Sequence, residues 1–92
     1  MLKILGTQTP DDLKDYSINF AGQLSPTDSL DEPSVTWDAG DLTVAQENVA
    51  GAAATVWLTG GVDNRQYKVT CTAGTTEGRT IKAAFLVDVR DV

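Results

Sequence analysis

The stretch Leu58-Thr59-Gly60-Gly61, followed by Tyr67, decides the fold of this chain. The leucine lies in residues 53–59, where apolar and polar positions alternate as they do in a half-buried β-strand. The two glycines permit a tight turn, and the tyrosine opens the next alternating stretch. This order is typical of a corner where the chain crosses between two packed sheets and the tyrosine hydroxyl bonds back to the corner backbone. An alternative is that Tyr67 is an ordinary buried strand residue.

Alternation with a period of two dominates the rest of the chain, and no segment has the apolar stripe of a helix. Gly, Pro and Asp residues, which favour turns, separate the alternating stretches. We expect hairpins around residues 38–41 and 73–78, and a single helical turn over residues 10–14 that is capped by Thr9. The predicted strands cover residues 2–5, 14–20, 34–37, 42–45, 53–59, 66–72 and 79–89.

Seven short strands joined by turns predict an all-β protein, an antiparallel two-sheet sandwich of the immunoglobulin-like or fibronectin type III-like kind. The length of 92 residues is that of one domain with one modest core. The alternation assigns the inward positions of each strand. The predicted core consists of Tyr16, Ile18, Phe20, Trp37, Val56, Leu58, Tyr67, Val69, Ile81, Phe85 and Val87.

We divide the chain into an N-terminal arm or first strand, residues 1–9, and an immunoglobulin-like domain, residues 10–92. The arm begins with four apolar residues around Lys3, and residues 6–10 have the composition of a linker. Such an arm can pair with its own sheet or with the edge of a neighbouring subunit, so we expect its order to depend on a partner. Its apolar run is too short for a signal peptide or a membrane span, which predicts synthesis in the cytoplasm.

The charge of the chain is unevenly distributed. Residues 1–50 hold two basic and nine acidic residues, a net charge of −7, whereas residues 51–92 hold five basic and four acidic residues, a net charge of +1. An acidic surface repels phosphate groups, and the concentrated basic stripe of nucleic-acid-binding proteins is missing from the sequence. We therefore expect neither nucleic acid nor a membrane as a partner.

The sequence offers little for catalysis or metal binding. Cys71 is the only cysteine, the chain contains no histidine, and a catalytic thiol requires a neighbouring base. We therefore interpret Cys71 as a small buried hydrophobic residue. The acidic stretches 28–32 and 38–41 lack the ligand alternation of a calcium loop and are interpreted as solvated turns. We expect a protein that is not an enzyme and has no catalytic, cofactor or metal site.

Several motifs resemble those of a known family, the small virion proteins of tailed bacteriophages called fiber–tail adaptor proteins. The resemblance covers residues 10–90, and its most specific parts are Val56-Trp57-Leu58-Thr59-Gly60-Gly61 and Gly78-Arg79. It implies an immunoglobulin-like module built into a virus particle. The matching segments are residues 15–20, Trp37, residues 55–61, residues 67–70 and residues 75–79.

The resemblance leads to a hypothesis about function, a structural adaptor between tail or head and fiber components of a virion that acts through protein–protein contacts. Its partners would be other virion proteins of the tail, head–tail connector, fiber or capsid, with several symmetric copies in the particle. One alternative is a capsid decoration protein. A second is an immunoglobulin-like binding module that is not viral, such as one that binds carbohydrate or a peptide strand.

We predict the interface residues from outward positions and from charge. Trp57 and Leu86 lie at outward positions of strands whose other face is apolar, and such residues favour burial against a partner. Leu2 and Ile4 belong to the apolar arm, and basic side chains match the acidic first half of another copy. The predicted interface residues are Trp57, Leu86, Leu2, Ile4, Arg65 and Arg79.

Overall fold

A computed structural model describes residues 3–90 of the chain. Within this range the structure contains seven β-strands and one short 3₁₀ turn, Ala21–Gln23. The strands are β1 (Ile4–Gln8), β2 (Lys14–Asn19), β3 (Leu30–Asp38), β4 (Leu42–Ala50), β5 (Ala53–Gly60), β6 (Arg65–Thr75) and β7 (Thr80–Val89).

The strands form two sheets. The four-stranded sheet has the order β1-β7-β6-β3, and the three-stranded sheet has the order β2-β5-β4. All neighbours are antiparallel except β1 and β7, which run parallel. The arrangement of β2 to β7 is that of an immunoglobulin-like sandwich, in which the two sheets are joined by crossing connections. The predicted all-β two-sheet sandwich of seven strands is confirmed.

The core lies between the sheets and consists of two clusters. One is centred on Val56, Leu58, Val69 and Val87, and the other on Phe20. Every predicted core residue is buried or half-buried, and the half-buried ones pack against these clusters. Period-two alternation therefore assigned the inward faces correctly, because only one face of each strand meets the opposite sheet.

The corner between β5 and β6 has the predicted geometry. The hydroxyl of Tyr67 accepts a hydrogen bond of 2.8 Å from the backbone N–H of Val62, which ties the start of β6 to the turn. Gly61 has a φ of +92°, and a Cβ atom at this position would lie 2.9 Å from the side chain of Leu42. Only glycine meets both the conformational and the steric requirement of this turn.

The predicted hairpin around residues 38–41 is wrong, because this turn carries the chain from one sheet to the other. β3 pairs with β6, and β4 pairs with β5. Trp37 and Leu42 therefore pack into the core from opposite sheets, with the buried Ala39 between them in the sequence. A hairpin that was not predicted joins β4 to β5 through a two-residue loop, in which Gly51 has a φ of +61°.

The N-terminal segment pairs with its own sheet, which is one of the two arrangements expected for it, but its strand has other bounds than predicted. The first strand covers Ile4–Gln8, so residues 6–8, which were predicted as linker, pair with β7. Gly6 is needed because a Cβ atom there would lie 2.8 Å from the ring of Tyr16. Ile4 and Leu5 are thus ordered by their own sheet, whereas the predicted interface residue Leu2 lies outside the described residues.

Residues 10–14 do not form the predicted helical turn. The backbone N–H of Asp12 donates to the carbonyl of Thr9 at 3.1 Å, which closes a β-turn. The capping also runs in the opposite direction to the prediction, because the Asp12 carboxylate accepts a hydrogen bond of 2.9 Å from the Thr9 N–H. The carboxylate of aspartate is well suited to this local bond, which competes with helix formation.

Candidate protein interface

Trp57 lies on the outer face of the three-stranded sheet, at the middle of its central strand. Its register partners are Asp15 on β2 and Gln46 on β4. The indole is half-buried. We call this surface the tryptophan face, and its other outward register positions are Ser17, Asn19, Thr43, Asn48, Ala50, Ala53, Thr55 and Thr59.

Ile4 and Leu86 lie on the opposite side of the molecule. They are register partners in β1 and β7, on the outer face of the four-stranded sheet. Leu86 is half-buried, whereas Ile4 is 48% exposed at the edge of the sheet. The two side chains form a small apolar patch that faces away from Trp57. The structure therefore brings together two of the predicted interface residues, Ile4 and Leu86, and places them on the other side of the molecule from Trp57.

The two predicted basic contacts lie at opposite ends of the sandwich. Arg65 begins β6 beside the tyrosine corner and is exposed. Arg79 lies in the turn before β7, where its guanidinium contacts the carboxylates of Asp28 at 3.1 Å and Glu77 at 2.9 Å. Arg79 is thus already paired within the chain, and its main contacts stabilise a loop junction.

This junction, which we call the apical cluster, consists of Thr27, Asp28, Thr76, Glu77 and Arg79. The Asp28 carboxylate is fully covered and accepts hydrogen bonds from the Thr76 hydroxyl and the Glu77 N–H, each at 3.1 Å. Thr27 donates to Glu77 at 2.7 Å. The cluster joins the loop before β3 to the β6–β7 turn. The prediction of a solvated turn is therefore wrong for Asp28, which is a covered anchor.

The hydrogen bonds of the apical cluster change the acidity of its carboxyl groups. Burial raises the pKa of Asp28, but the hydrogen bonds that it accepts from Thr75, Glu77, Ser29 and Thr76 outweigh this and lower the pKa below its usual value. The pKa of Glu77 is lowered by hydrogen bonds from Thr27 and Arg79. Both groups therefore remain ionised at neutral pH.

The outer face of the four-stranded sheet carries a groove that was not predicted from the sequence. This lysine groove is open, has a volume of about 470 Å³ and is floored by small residues of β7. Small side chains at outward positions next to long lysines are the sequence signal that would have indicated a depression here. Its lining residues are Asp38, Lys68, Thr70, Thr72, Lys82, Ala83 and Ala84.

The described residues provide no metal centre, since no group of three or more His, Cys, Asp or Glu side chains within residues 3–90 is placed to hold an ion. Cys71 is fully buried, and burial raises the pKa of its thiol to about 11, with a smaller contribution from the charge of Glu47. A thiol with such a pKa stays protonated at neutral pH, and this confirms the interpretation of Cys71 as a buried core residue. No helix in the described range is long and apolar enough to cross a membrane.

Comparison with known proteins identifies the family. A family model described as podophage GP4 fiber-tail adaptor protein gp77 matches residues 8–88. The chain belongs to this family. The gp77 match covers all of the strands from β2 to β6, nearly all of β7 and the last residue of β1, so it spans most of the sandwich. No curated protein sequence matches the chain.

Membership in the gp77 family makes this chain a structural protein of the phage fiber–tail adaptor type. The resemblance stated from the sequence motifs is therefore confirmed. The family match to a phage protein favours the viral interpretation over that of a binding module that is not viral. Within the gp77 sandwich, the surfaces open to a partner include the tryptophan face, the Ile4 and Leu86 patch and the lysine groove.

Proposed function

We propose that this protein joins tail and fiber components of a podophage virion by protein–protein contacts alone, without enzymatic activity or a cofactor. Several symmetric copies are made in the host cytoplasm and incorporated into the particle. The head–tail connector and the capsid are further candidate neighbours. The net charge of −6 makes nucleic acid and anionic membranes unfavourable partners.

The proposal rests mainly on the different chemistry of the two outer faces of the sandwich. None of the outward register positions of the tryptophan face is basic, and Asp15 is acidic. The lysine groove carries Lys68 and Lys82 beside small residues. An adaptor must bind two different neighbours, and two dissimilar faces on opposite sides of one rigid domain meet this requirement.

The tryptophan face is the stronger candidate for a high-affinity contact. Tryptophan is enriched among the residues that contribute most to binding, because it removes a large apolar area from water. A lysine above the ring of Trp57 would add a cation–π attraction. We therefore assign Trp57 as the anchor of one contact, and Lys68 and Lys82, with Arg65, as the basic side of a contact with another copy or another virion protein.

The proposal is tested with phage particles that carry a Trp57→Ser variant. We expect the purified variant to stay folded by circular dichroism, because the indole lies outside the core, and to be missing from assembled tails. Thr59→Ser, on the same face and strand, is the matched control and should be incorporated normally. A second variant, Lys68→Glu with Lys82→Glu, should reduce incorporation by reversing the charge of the groove.

Three results would contradict the proposal. An unfolded Trp57→Ser protein would assign the side chain to the core, and a folded variant that is incorporated normally would remove Trp57 from the interface. Recovery of the wild-type protein with capsids and not with tails would assign it to capsid decoration. Particle fractions separated before immunoblotting distinguish these two locations.

A further inference from the structure

Within residues 3–90, the outer edge of β2 carries backbone N–H and C=O groups that no other strand pairs with. β2 lies at one side of the three-stranded sheet, and among the seven described strands it pairs only with β5. The N–H of Phe20 donates to the carbonyl of Ala52 at 2.8 Å, which continues the β2–β5 ladder. In an antiparallel ladder alternate residues point to the same side, so Tyr16 and Ile18 also bond to β5. The alternate residues of β2 are Asp15, Ser17 and Asn19. Their backbone N–H and C=O groups point away from β5, toward the open edge of the sheet.

A side-chain contact agrees with this assignment. The hydroxyl groups of Ser17 and Thr55, which are register partners, lie 2.7 Å apart. Side chains approach each other most closely at the pairs that exchange no backbone hydrogen bonds. The backbone N–H of Ser17 is therefore free of β5, and no hydrogen bond occupies it within residues 3–90.

The other three sheet edges carry features that hinder pairing with another strand. The ladders of β1 and β4 have register breaks, between Ile4 and Gly6 and between Val44 and Gln46. β3 has a break as well and contains Pro33, which cannot donate a hydrogen bond. β2 pairs with β5 without interruption and contains no proline. Natural proteins protect edge strands with such features, so a regular and open edge is a site for strand addition.

We propose that β2 pairs antiparallel with β2 of a second copy of this chain, around a two-fold axis at Ser17, to form a continuous six-stranded sheet. Residues whose backbone groups point to the open edge must lie opposite each other in the two copies to exchange hydrogen bonds. The permitted registers therefore differ from one another by steps of two residues. With Ser17 opposite Ser17, Asp15 faces Asn19 on both sides of the axis. This register uses all three free positions of each copy. A register with Asp15 opposite Asp15 would place like charges together.

The side chains fit the same register. The Asn19 Oδ1 atom accepts a hydrogen bond of 2.9 Å from the Ala21 N–H, which leaves the amide N–H₂ group as a donor. It would face the Asp15 carboxylate of the second copy, an acceptor that is exposed in the single chain. On the inner side, Tyr16 would face Ile18, an apolar pair that covers the half-buried isoleucine. This inference does not depend on the proposed function.

Sedimentation equilibrium of the purified wild-type protein and of two variants at position 17 tests the pairing. Ser17→Pro removes the free N–H without affecting the ladder to β5, and proline is tolerated on the open side of an edge strand. Ser17→Ala is the matched control, because it also loses the hydroxyl contact with Thr55 but keeps the N–H. We expect the wild type and Ser17→Ala to dimerise as the concentration rises and Ser17→Pro to remain monomeric.

Cysteine cross-linking tests the register itself and does not require a proline variant that folds. Opposed residues of a hydrogen-bonded pair have Cα atoms about 5.5 Å apart, within the range of a disulfide. The S17C variant should therefore form a covalent dimer on mild oxidation. The D15C variant should not, because the two introduced thiols would be attached to Cα atoms roughly 14 Å apart. The native Cys71 is fully buried and will not contribute.

Four results would overturn the proposal. These are a wild-type protein that is monomeric at every concentration, a dimer that survives Ser17→Pro, equal cross-linking of S17C and D15C, and a dimer that is lost in Trp57→Ser. The last result would assign self-association to the tryptophan face. None of these measurements uses incorporation into particles, so the outcome is independent of the adaptor proposal.

Discussion

At the residue scale, Gln8 shows how a buried polar side chain joins the two sheets. It is only 2% exposed, and its Oε1 atom accepts a hydrogen bond of 2.6 Å from the Tyr16 hydroxyl. Its Nε2 atom donates to the carbonyls of Leu58, at 3.1 Å, and Asp12, at 3.3 Å. One amide group thereby satisfies a buried hydroxyl and a buried carbonyl, and each of these would be costly to leave without a partner.

We predict that Gln8→Leu lowers the free energy of unfolding by about 2–3 kcal/mol, because it leaves two buried polar groups without hydrogen bonds. Chemical denaturation followed by circular dichroism measures the change. Gln66→Leu is the matched control at an exposed glutamine and should stay within about 0.5 kcal/mol of the wild type. Equal effects of the two substitutions would contradict the structural role of Gln8.

A second prediction at this scale concerns the glycines of the turns. Gly61→Ala should destabilise the protein by more than Gly51→Ala, although both residues have a positive φ. The alanine at position 51 meets no atom within 4 Å, so it costs only the conformational penalty of about 1–2 kcal/mol. At position 61 the Cβ atom also crowds Leu42, Val89 and Tyr67. If thermal denaturation gives the same loss for both variants, the close packing at the corner is refuted.

At the scale of elements, the apical cluster couples a long loop to a hairpin turn through charge. The pKa values of Asp28 and Glu77 are lowered in the folded protein, so the cluster stabilises the fold fully above the usual pKa values of 3.8 and 4.5. This contribution is lost as the pH falls through the lower folded values. Acid therefore loosens the connection between the β2–β3 loop and the β6–β7 turn.

We expect Asp28→Asn to destabilise the protein at neutral pH and to differ little from the wild type in strong acid, where Asp28 is protonated in both states. Denaturation curves at a series of pH values measure the difference. Asp41→Asn, at an exposed aspartate outside the cluster, should stay within about 0.5 kcal/mol of the wild type at neutral pH. A difference between wild type and Asp28→Asn that grows as the pH falls would contradict this assignment.

Strand faces could be predicted from the sequence, but strand partners could not. Alternation places Trp37 inward whether its strand pairs with β4 or β6, because the period of two is the same in both cases. The turn at residues 38–41 has the composition of a hairpin, and only the packing of Trp37 and Leu42 from opposite sheets shows that it crosses. The Tyr67 corner was predictable because its residues depend on local geometry.

The same limit applies to the candidate interface. Trp57 and Leu86 are both outward by alternation, yet they lie on opposite faces because β5 and β7 belong to different sheets. Arg79 was predicted to contact a partner, but it pairs with Asp28 of its own chain. Asp28 lies 51 positions earlier in the sequence, so the pair could not be recognised from local patterns. Contacts over such distances arise from the topology of the sandwich, which single-strand patterns do not contain.

At the scale of the whole molecule, two side chains connect the two core clusters, and we predict that the clusters unfold as one cooperative unit. Ile18 and Trp37 pack against both of them. We predict that Phe85→Ala, which removes a ring that is 2% exposed and lies 5.5 Å from the Tyr16 ring, costs about 3–5 kcal/mol. Such a loss is a large share of the stability of a small domain.

The measurement uses a Trp57→Phe background, so that fluorescence reports on Trp37 alone. Fluorescence and circular dichroism should then give coincident unfolding curves, both shifted by Phe85→Ala. Leu13→Ala, at a residue that is 58% exposed, serves as the control and should leave the curves nearly unchanged. Separate transitions for the two signals would show that the clusters unfold independently.

The position of β7 between β1 and β6 has a consequence for biosynthesis. Of the seven strands within residues 3–90, β7 leaves the ribosome last, yet it is the strand with which β1 pairs. β1 therefore stays unpaired until nearly the whole domain has been translated. Such a high contact order slows folding. The nascent chain exposes Ile4 and Leu5 for as long as β1 is unpaired. The sandwich therefore reaches its final strand pairing only after β7 has been synthesised, and a chaperone that binds apolar segments can act on β1 before then.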